Sequence, residues 1–393
     1  MYLHIGLHKT GTSYLQGLWA ANRAGLADQG VHYCGADGEP AQRLAAMDAL
    51  GHRARGTDDT RVSGQWQALV DATARSALPV ALVSAEGLSV ARPRQVRQIV
   101  ASFPDREVHV VVTCRDLGRV LVSSWQEAVK NDGTWTWPQY AAAVADPDGR
   151  GRSPGRGFWL AQDLPAILAT WRRWVPADRI HVVTVPPPAA APGELHRRVG
   201  AVVGYDPAAL TAPAEWDNAS LGAAGTELVR RLNVALGHRL NQRQHDHVVK
   251  SVIVRQLVGS GREDRYGLPD RDRGWVEAAA RDQIAGVRAA GVQVTGELAD
   301  LLPRVDPTAR DPQQAGTEEL LAAAVVALTG VSERYATRWW REVRGRGGAA
   351  EVALRVRTSS ALRAVSFRAR RAAATVADRN RFAGRFAARY LDR

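Results

Sequence analysis

The stretch Met1–Trp19 reads MYLHIGLHKTGTSYLQGLW, and its punctuation decides what the rest of the chain is built around. Tyr2–Gly6 is rich in apolar and β-forming residues and predicts a short buried strand that breaks at Gly6; a helix restarts at about Thr12. A strand, a tight loop and a helix start make an anion site. The first-turn N–H groups have no helical partner, the helix dipole adds partial positive charge, and Lys9 adds a whole one.

The spacing narrows the kind of phosphate loop. In the nucleoside triphosphatase pattern G-x-x-x-x-G-K-[ST], lysine directly follows the last glycine, whereas here Thr12 follows Gly11 and Lys9 stands two places before it. That order counts against an ordinary ATPase or kinase.

Composition sets the frame. A chain of 393 residues can bury a large core, and one domain with additions accounts for it best. Two cysteines, Cys34 and Cys114, are too few for a disulfide framework or a zinc site, which fits a reducing compartment. With no signal peptide before the first strand and no apolar run long enough to span a bilayer, a soluble cytoplasmic protein is expected. Of the net charge of +12, nine charges fall in residues 345–393, so basicity there is a local property and gives no ground for a nucleic-acid partner. The 52 basic residues include only three lysines, Lys9, Lys130 and Lys250. Lysine is a compact point charge where arginine is a wide fork, so the three exceptions merit individual reading.

Downstream, Gly30–Cys34 reads as a short strand, then a polar, glycine-containing stretch runs to about Ser63 and a helix covers Gln65–Ala77. Val80–Ser84 is a second buried strand, and it ends at Glu86, outside the carboxyl end of a sheet strand where ligands sit. Val108–Cys114 (VHVVVTC) is a continuous β-branched run, as in a parallel sheet covered on both faces. It delivers Arg115 to the same edge. The helix that follows puts Leu117, Val120, Leu121, Ser124 and Ala128 on one face and Arg119, Ser123, Gln126 and Lys130 on the other.

These residues carry a resemblance. The loop GLHKTGTS is similar to the 5′-phosphosulfate loop of sulfotransferases that use 3′-phosphoadenosine 5′-phosphosulfate (PAPS). Arg115 and Ser123, eight residues apart at a strand end and on the next helix, resemble that family's 3′-phosphate signature. SSWQEAVKN, WRRWVPADRIHVVTVPPP and NASLG look like its bacterial branch. The resemblance implies a three-layer α/β/α fold with a central parallel sheet, of the P-loop nucleotide-kinase-like kind, and PAPS as donor with 3′,5′-bisphosphoadenosine (PAP) as product. It implies donor contacts from His8, Lys9, Thr10, Gly11, Thr12, Ser13, Tyr14, Arg115 and Ser123, with Lys9 as electrostatic catalyst and no metal. Glu86 is the first choice for catalytic base, with His8 and His32 as rivals. No counterpart of the glycine-rich RKG segment of animal cytosolic members is present, so the adenine contacts stay unassigned. A nucleotide kinase or other phosphotransferase, or a non-catalytic PAP- or glycan-binding module, are the other classes open. The acceptor, bearing a hydroxyl or amine, stays open among a small molecule, a glycan, a glycolipid and a peptide.

Thr134–Ala145 and Gln162–Trp174 read as helices separated by a mobile segment, Asp148–Gly157, a candidate acceptor lid. Ile180–Val185 is a further strand and Leu195–Gly204 a helix. We expect residues 1–222 to form the α/β core, 223–303 a helical cover without strands, 304–344 a helical segment and 345–393 a basic amphipathic tail suited to peripheral membrane contact. His238, His245 and His247 read as surface histidines rather than metal ligands, and Trp171, Trp174, Trp339 and Trp340 as packing groups.

Overall fold

A computed structural model describes residues 1–345 apart from 36–37, 40, 52–60, 215–220, 260–265, 305 and 307–308. The basic tail after residue 345 and Asn218–Ser220 of the NASLG segment lie outside the described residues. Contacts divide the chain into two units, 1–327 and 328–393.

Six strands form one sheet: β1 (Tyr2–His4), β2 (Val31–Tyr33), β3 (Val80–Ser84), β4 (His109–Cys114), β5 (Ile180–Thr184) and β6 (Gln293–Thr295), in the order β2-β3-β1-β4-β5-β6. Every pairing is parallel, with Leu3 opposite Val83 on one side and Val110 on the other. Side chains alternate across a strand, and here the alternation feeds two separate cores. Leu3, Val83, Val110, Val112 and Val182 enter one core, beneath helices Gln65–Arg75, Pro93–Ala101, Leu164–Trp171 and Asp270–Ala290. Leu82, Val111 and Val183 enter the other, with Leu15 and Trp19 of α1 (Thr12–Ala21) and Val199 of helix Glu194–Val203. The architecture is the expected three-layer α/β/α sandwich, followed by a C-terminal helix, Thr317–Gly345.

Five expectations need correction. Strands do not end before residue 223: β6, inside the segment read as helical cover, adds the sixth strand beside β5. The polar stretch before Ser63 holds a helix, Gln42–Ala49, that buries only Ala45 and Ala46. The segment read as a mobile lid is largely structured, with a 3₁₀ turn at Asp148–Gly151 and a helix, Gly155–Gln162, whose Gly155, Phe158 and Trp159 are buried. The run read as one helix from Gln162 breaks at Asp163, whose carboxylate caps the N–H of Ala166. His245 is likewise buried rather than on the surface, and its ring meets Asn233 Oδ1 at 3.0 Å. Trp171 is a fully buried packing group, whereas Trp339 is 43% exposed.

The long helix Asp270–Ala290 reaches the sheet face by lying close on Leu164–Trp171. A β-carbon at Gly286 would come 2.8 Å from Pro165 Cβ, too close for either backbone to yield cheaply. Gly286→Ala is expected to lower unfolding free energy by about 1–3 kcal/mol, read as a reduced urea midpoint at unchanged slope.

Candidate active site

The central position of β1 brings three strand ends together. The loop after β1 is flanked by the end of β3, which carries Glu86, and the end of β4, which carries Arg115. β1's pairing extends into the loop, with Ile5 N–H on Val111 O (3.0 Å) and Leu7 N–H on Thr113 O (2.7 Å). The chain then turns over. Gly6 has φ 60°, and a β-carbon there would meet Thr12 Cγ2 at 2.6 Å and Glu86 Cβ at 3.2 Å, so only glycine passes between them. Lys9 itself is left-handed at φ 66°, a conformation that costs about 1–2 kcal/mol for a side-chain-bearing residue.

Thr10 holds the loop from beneath. Its hydroxyl donates to Leu7 O (2.6 Å) and meets Thr113 Oγ1 (2.7 Å), so its side chain is engaged in the core. Gly11, at φ 85°, starts α1 without any side-chain cap, and α1 has no acidic residue in its first turn. The first-turn N–H groups of α1 thus have no side-chain cap of their own, and the carboxylate nearest the helix start is that of Glu86, on the Thr12 hydroxyl. Ser13 is exposed there, and Tyr14 is half-buried against the core that holds Trp19.

Thr12 and Glu86 lock the opposite side. The Thr12 hydroxyl donates to Glu86 Oε2 at 2.5 Å, and His8 Nδ1 lies 3.5 Å from Glu86 Oε1. The two candidate bases thus face each other at the loop mouth, whereas His32 is paired with Glu39 at 3.1 Å. Gln162 fixes His8 from behind by donating to its carbonyl at 2.8 Å.

Arg115 joins the two motifs. Its guanidinium donates to the carbonyl of Lys9 at 3.2 Å, so the residue of the second signature grips the backbone of the first. Its Nε is buried with no acceptor, and among the described residues no carboxylate pairs with it. Burial, then the charge of Arg119, push its pKa down to about 10 against the opposing pull of Asp116. Asp116 is committed elsewhere: it caps the helix Leu117–Lys130 through the N–H groups of Gly118 and Arg119 and takes the N–H of Arg304. Ser123 lies half-exposed on that helix. The helix buries Leu117, Val120 and Leu121 as expected, and also Val122, Trp125 and Val129, while Ser124 and Ala128 are only half-buried.

One residue at the site escaped the sequence reading. Glu127 accepts from Lys9 Nζ at 2.9 Å. Burial alone would raise its pKa; the Lys9 hydrogen bond and charge, with Lys130 and Lys250, overcome that and hold it at about 2. The residue type and position gave no sign of it, since its partner is 118 residues away.

A carboxyl held below its unfolded value stabilises the fold above that value and loses the effect as pH falls to the folded one. The stability advantage of wild type over Glu127→Gln should therefore be complete, at about 1–2 kcal/mol after allowance for partial exposure, above the ordinary value of 4.5, and should vanish as pH approaches about 2. Parallel urea titrations of both proteins across that window check it.

No protein-family model matches the chain, and no curated protein matches it. Among solved structures the chain is similar to the crystal structure of a sulfotransferase from Alicyclobacillus acidocaldarius, with 12% sequence identity and a TM-score of 0.41, over 74% of this chain and 94% of that one.

Proposed function

We propose that the chain is a sulfotransferase that moves a sulfuryl group from PAPS to a hydroxyl or amine acceptor. The observation that carries this reading is the Arg115 guanidinium, half-buried, with one N–H unsatisfied and no carboxylate paired with it among the described residues, tied to the backbone of the Lys9 loop. A cation removed from water without a partner is costly, and an anion at that position would offset the cost. The loop offers a second anion position at the start of α1, whose first turn carries no side-chain cap and no acidic residue. Two anion positions linked by one hydrogen bond suit a nucleotide with phosphate at both its 3′ and 5′ ends, and the Arg115–Ser123 spacing fits the same assignment.

The donor supplies a sulfuryl group already activated on a phosphate. The residues supply alignment and charge. Lys9 and the N–H groups of Gly11, Thr12 and Ser13 are assigned to the 5′ end, where they hold the negative charge that grows on the departing phosphate oxygen. Arg115 and Ser123 are assigned to the 3′ phosphate. Glu86, steadied by Thr12 and facing His8, takes the acceptor proton as the new bond to sulfur forms and the sulfur–oxygen bond to phosphate breaks. Tyr14, half-buried just after the loop, is assigned to the base of the nucleotide.

Calorimetry with PAP and with magnesium ATP side by side tests the class. PAP should bind and ATP should bind far more weakly; the reverse order assigns a phosphotransferase. Arg115→Ala should weaken PAP by about 10- to 100-fold and Ser123→Ala by about threefold to tenfold. With an acceptor in hand, Glu86→Gln should lower turnover by about 100-fold while PAP affinity stays within about threefold.

A further inference from the structure

The chain's three lysines, spread from residue 9 to residue 250, meet at one carboxylate. Lys9 Nζ donates to Glu127 Oε2 at 2.9 Å, and Lys250 Nζ lies 3.6 Å from Glu127 Oε1. Asn131 braces the group: it accepts from Lys250 Nζ at 2.6 Å and donates to Glu127 Oε1 at 3.1 Å. Lys130 follows Glu127 by three residues on the same helix, which puts the two side chains on adjoining positions of one face. Its ammonium makes no hydrogen bond or ion pair among the described residues, and it lies within the fields of Glu127, Lys9 and Lys250.

Three ammonium groups around one carboxylate leave an excess of two positive charges. The adjacent acid does not cancel it, because Asp132 faces His245 Nε2 at 3.7 Å. Burial first, and then Lys9 and Lys250, lower the pKa of Lys130 against the pull of Glu127. In a chain that otherwise writes arginine, such a cluster is a built feature. The backbone agrees: Lys250 is carried by a π-helical stretch, Asp246–Val254, a conformation that recurs at functional sites.

This cluster is separate from the position assigned to the 3′ phosphate. Lys130 lies seven residues beyond Ser123, about 10 Å along the helix axis, and its charge is organised around Glu127 rather than around Ser123. It adjoins the transfer position instead, since Lys9 belongs to both. We propose that Lys130 and Lys250, braced by Glu127 and Asn131, form an anion subsite for the acceptor, and that the acceptor carries a carboxylate, sulfate or phosphate group close to the hydroxyl or amine that is modified. The proposal rests on the reading of Lys9 as the end of the donor site. A neutral acceptor would leave the excess charge unpaired and be disfavoured on that account.

Inorganic phosphate is the probe. The full chain, saturated with PAP, is titrated with phosphate by calorimetry, as wild type and as the double variant Lys130→Gln/Lys250→Gln. Wild type should take up phosphate, and the double variant should bind it about tenfold or more weakly. PAP affinity, measured separately, should change by less than about threefold, as for an independent site. The proposal is overturned if wild type takes up no phosphate, if the double variant keeps its affinity within about twofold, or if PAP affinity falls as far as phosphate affinity. If PAP itself fails to bind, the donor reading fails, and the same titration of the PAP-free chain still decides the lysine pair by the same criterion.

Discussion

A buried row of hydrogen bonds across three strands holds the candidate site in place. His4 in β1 meets Ser84 Oγ of β3 through Nδ1 (2.7 Å) and Thr113 Oγ1 of β4 through Nε2 (3.1 Å). Thr113 continues to Thr10, and Gln16 of α1 reaches both the Ser84 hydroxyl and its carbonyl. Burial drives the His4 pKa down to about 3, so the ring is neutral and serves as donor on one nitrogen and acceptor on the other. A fully satisfied polar row in a core has one arrangement, and that arrangement sets the loop, the start of α1 and the two flanking strand ends at fixed distances. Glu86 and Arg115 sit at those ends.

How much of this the amino-acid order disclosed follows from the range of each interaction. β3 and β4 announce themselves because VALVS and HVVVTC are buried on both faces, and strands of that kind need no help from periodicity. β6 gave no such signal. Gln293, Val294 and Thr295 lie at the sheet's edge and none is buried, so the residues carry no hydrophobic pattern, and their pairing depends on β5. The segment 148–157 misled for the opposite reason: glycine and arginine dominate its composition, yet Pro154 and Gly155 are buried and start a helix. Local spacing was enough to single out Lys9, Arg115 and Ser123 as candidates. Glu127 was not, since its role exists only once residues from the first loop and from the π-helical stretch have been brought to it.

The preference for arginine gives the same lesson in charge. Elsewhere arginines serve geometry: Arg198 joins Glu194, the Thr184 carbonyl and hydroxyl, and the buried Asp300, stitching the end of β5 to the turn beyond β6. A fork with several fixed donors suits such a knot. Lysine occurs where a single mobile charge shares a carboxylate with others, as Lys9 and Lys250 do at Glu127.

The hold on the His8 carbonyl sets the order in which the molecule can be finished. Gln162 supplies it, and Gln162 in turn is held by Gln283, whose side-chain amide donates to the Gln162 carbonyl at 2.8 Å. The first of these contacts spans 154 residues and the second 121. During synthesis the opening loop, made within the first dozen residues, waits for a helix made near residue 290 before its backbone is fully held. A nascent chain lacking that helix would already have the holds from Thr10, Thr12 and Arg115 and would lack only the brace that fixes the His8 carbonyl, so that carbonyl is the last part of the loop to be secured.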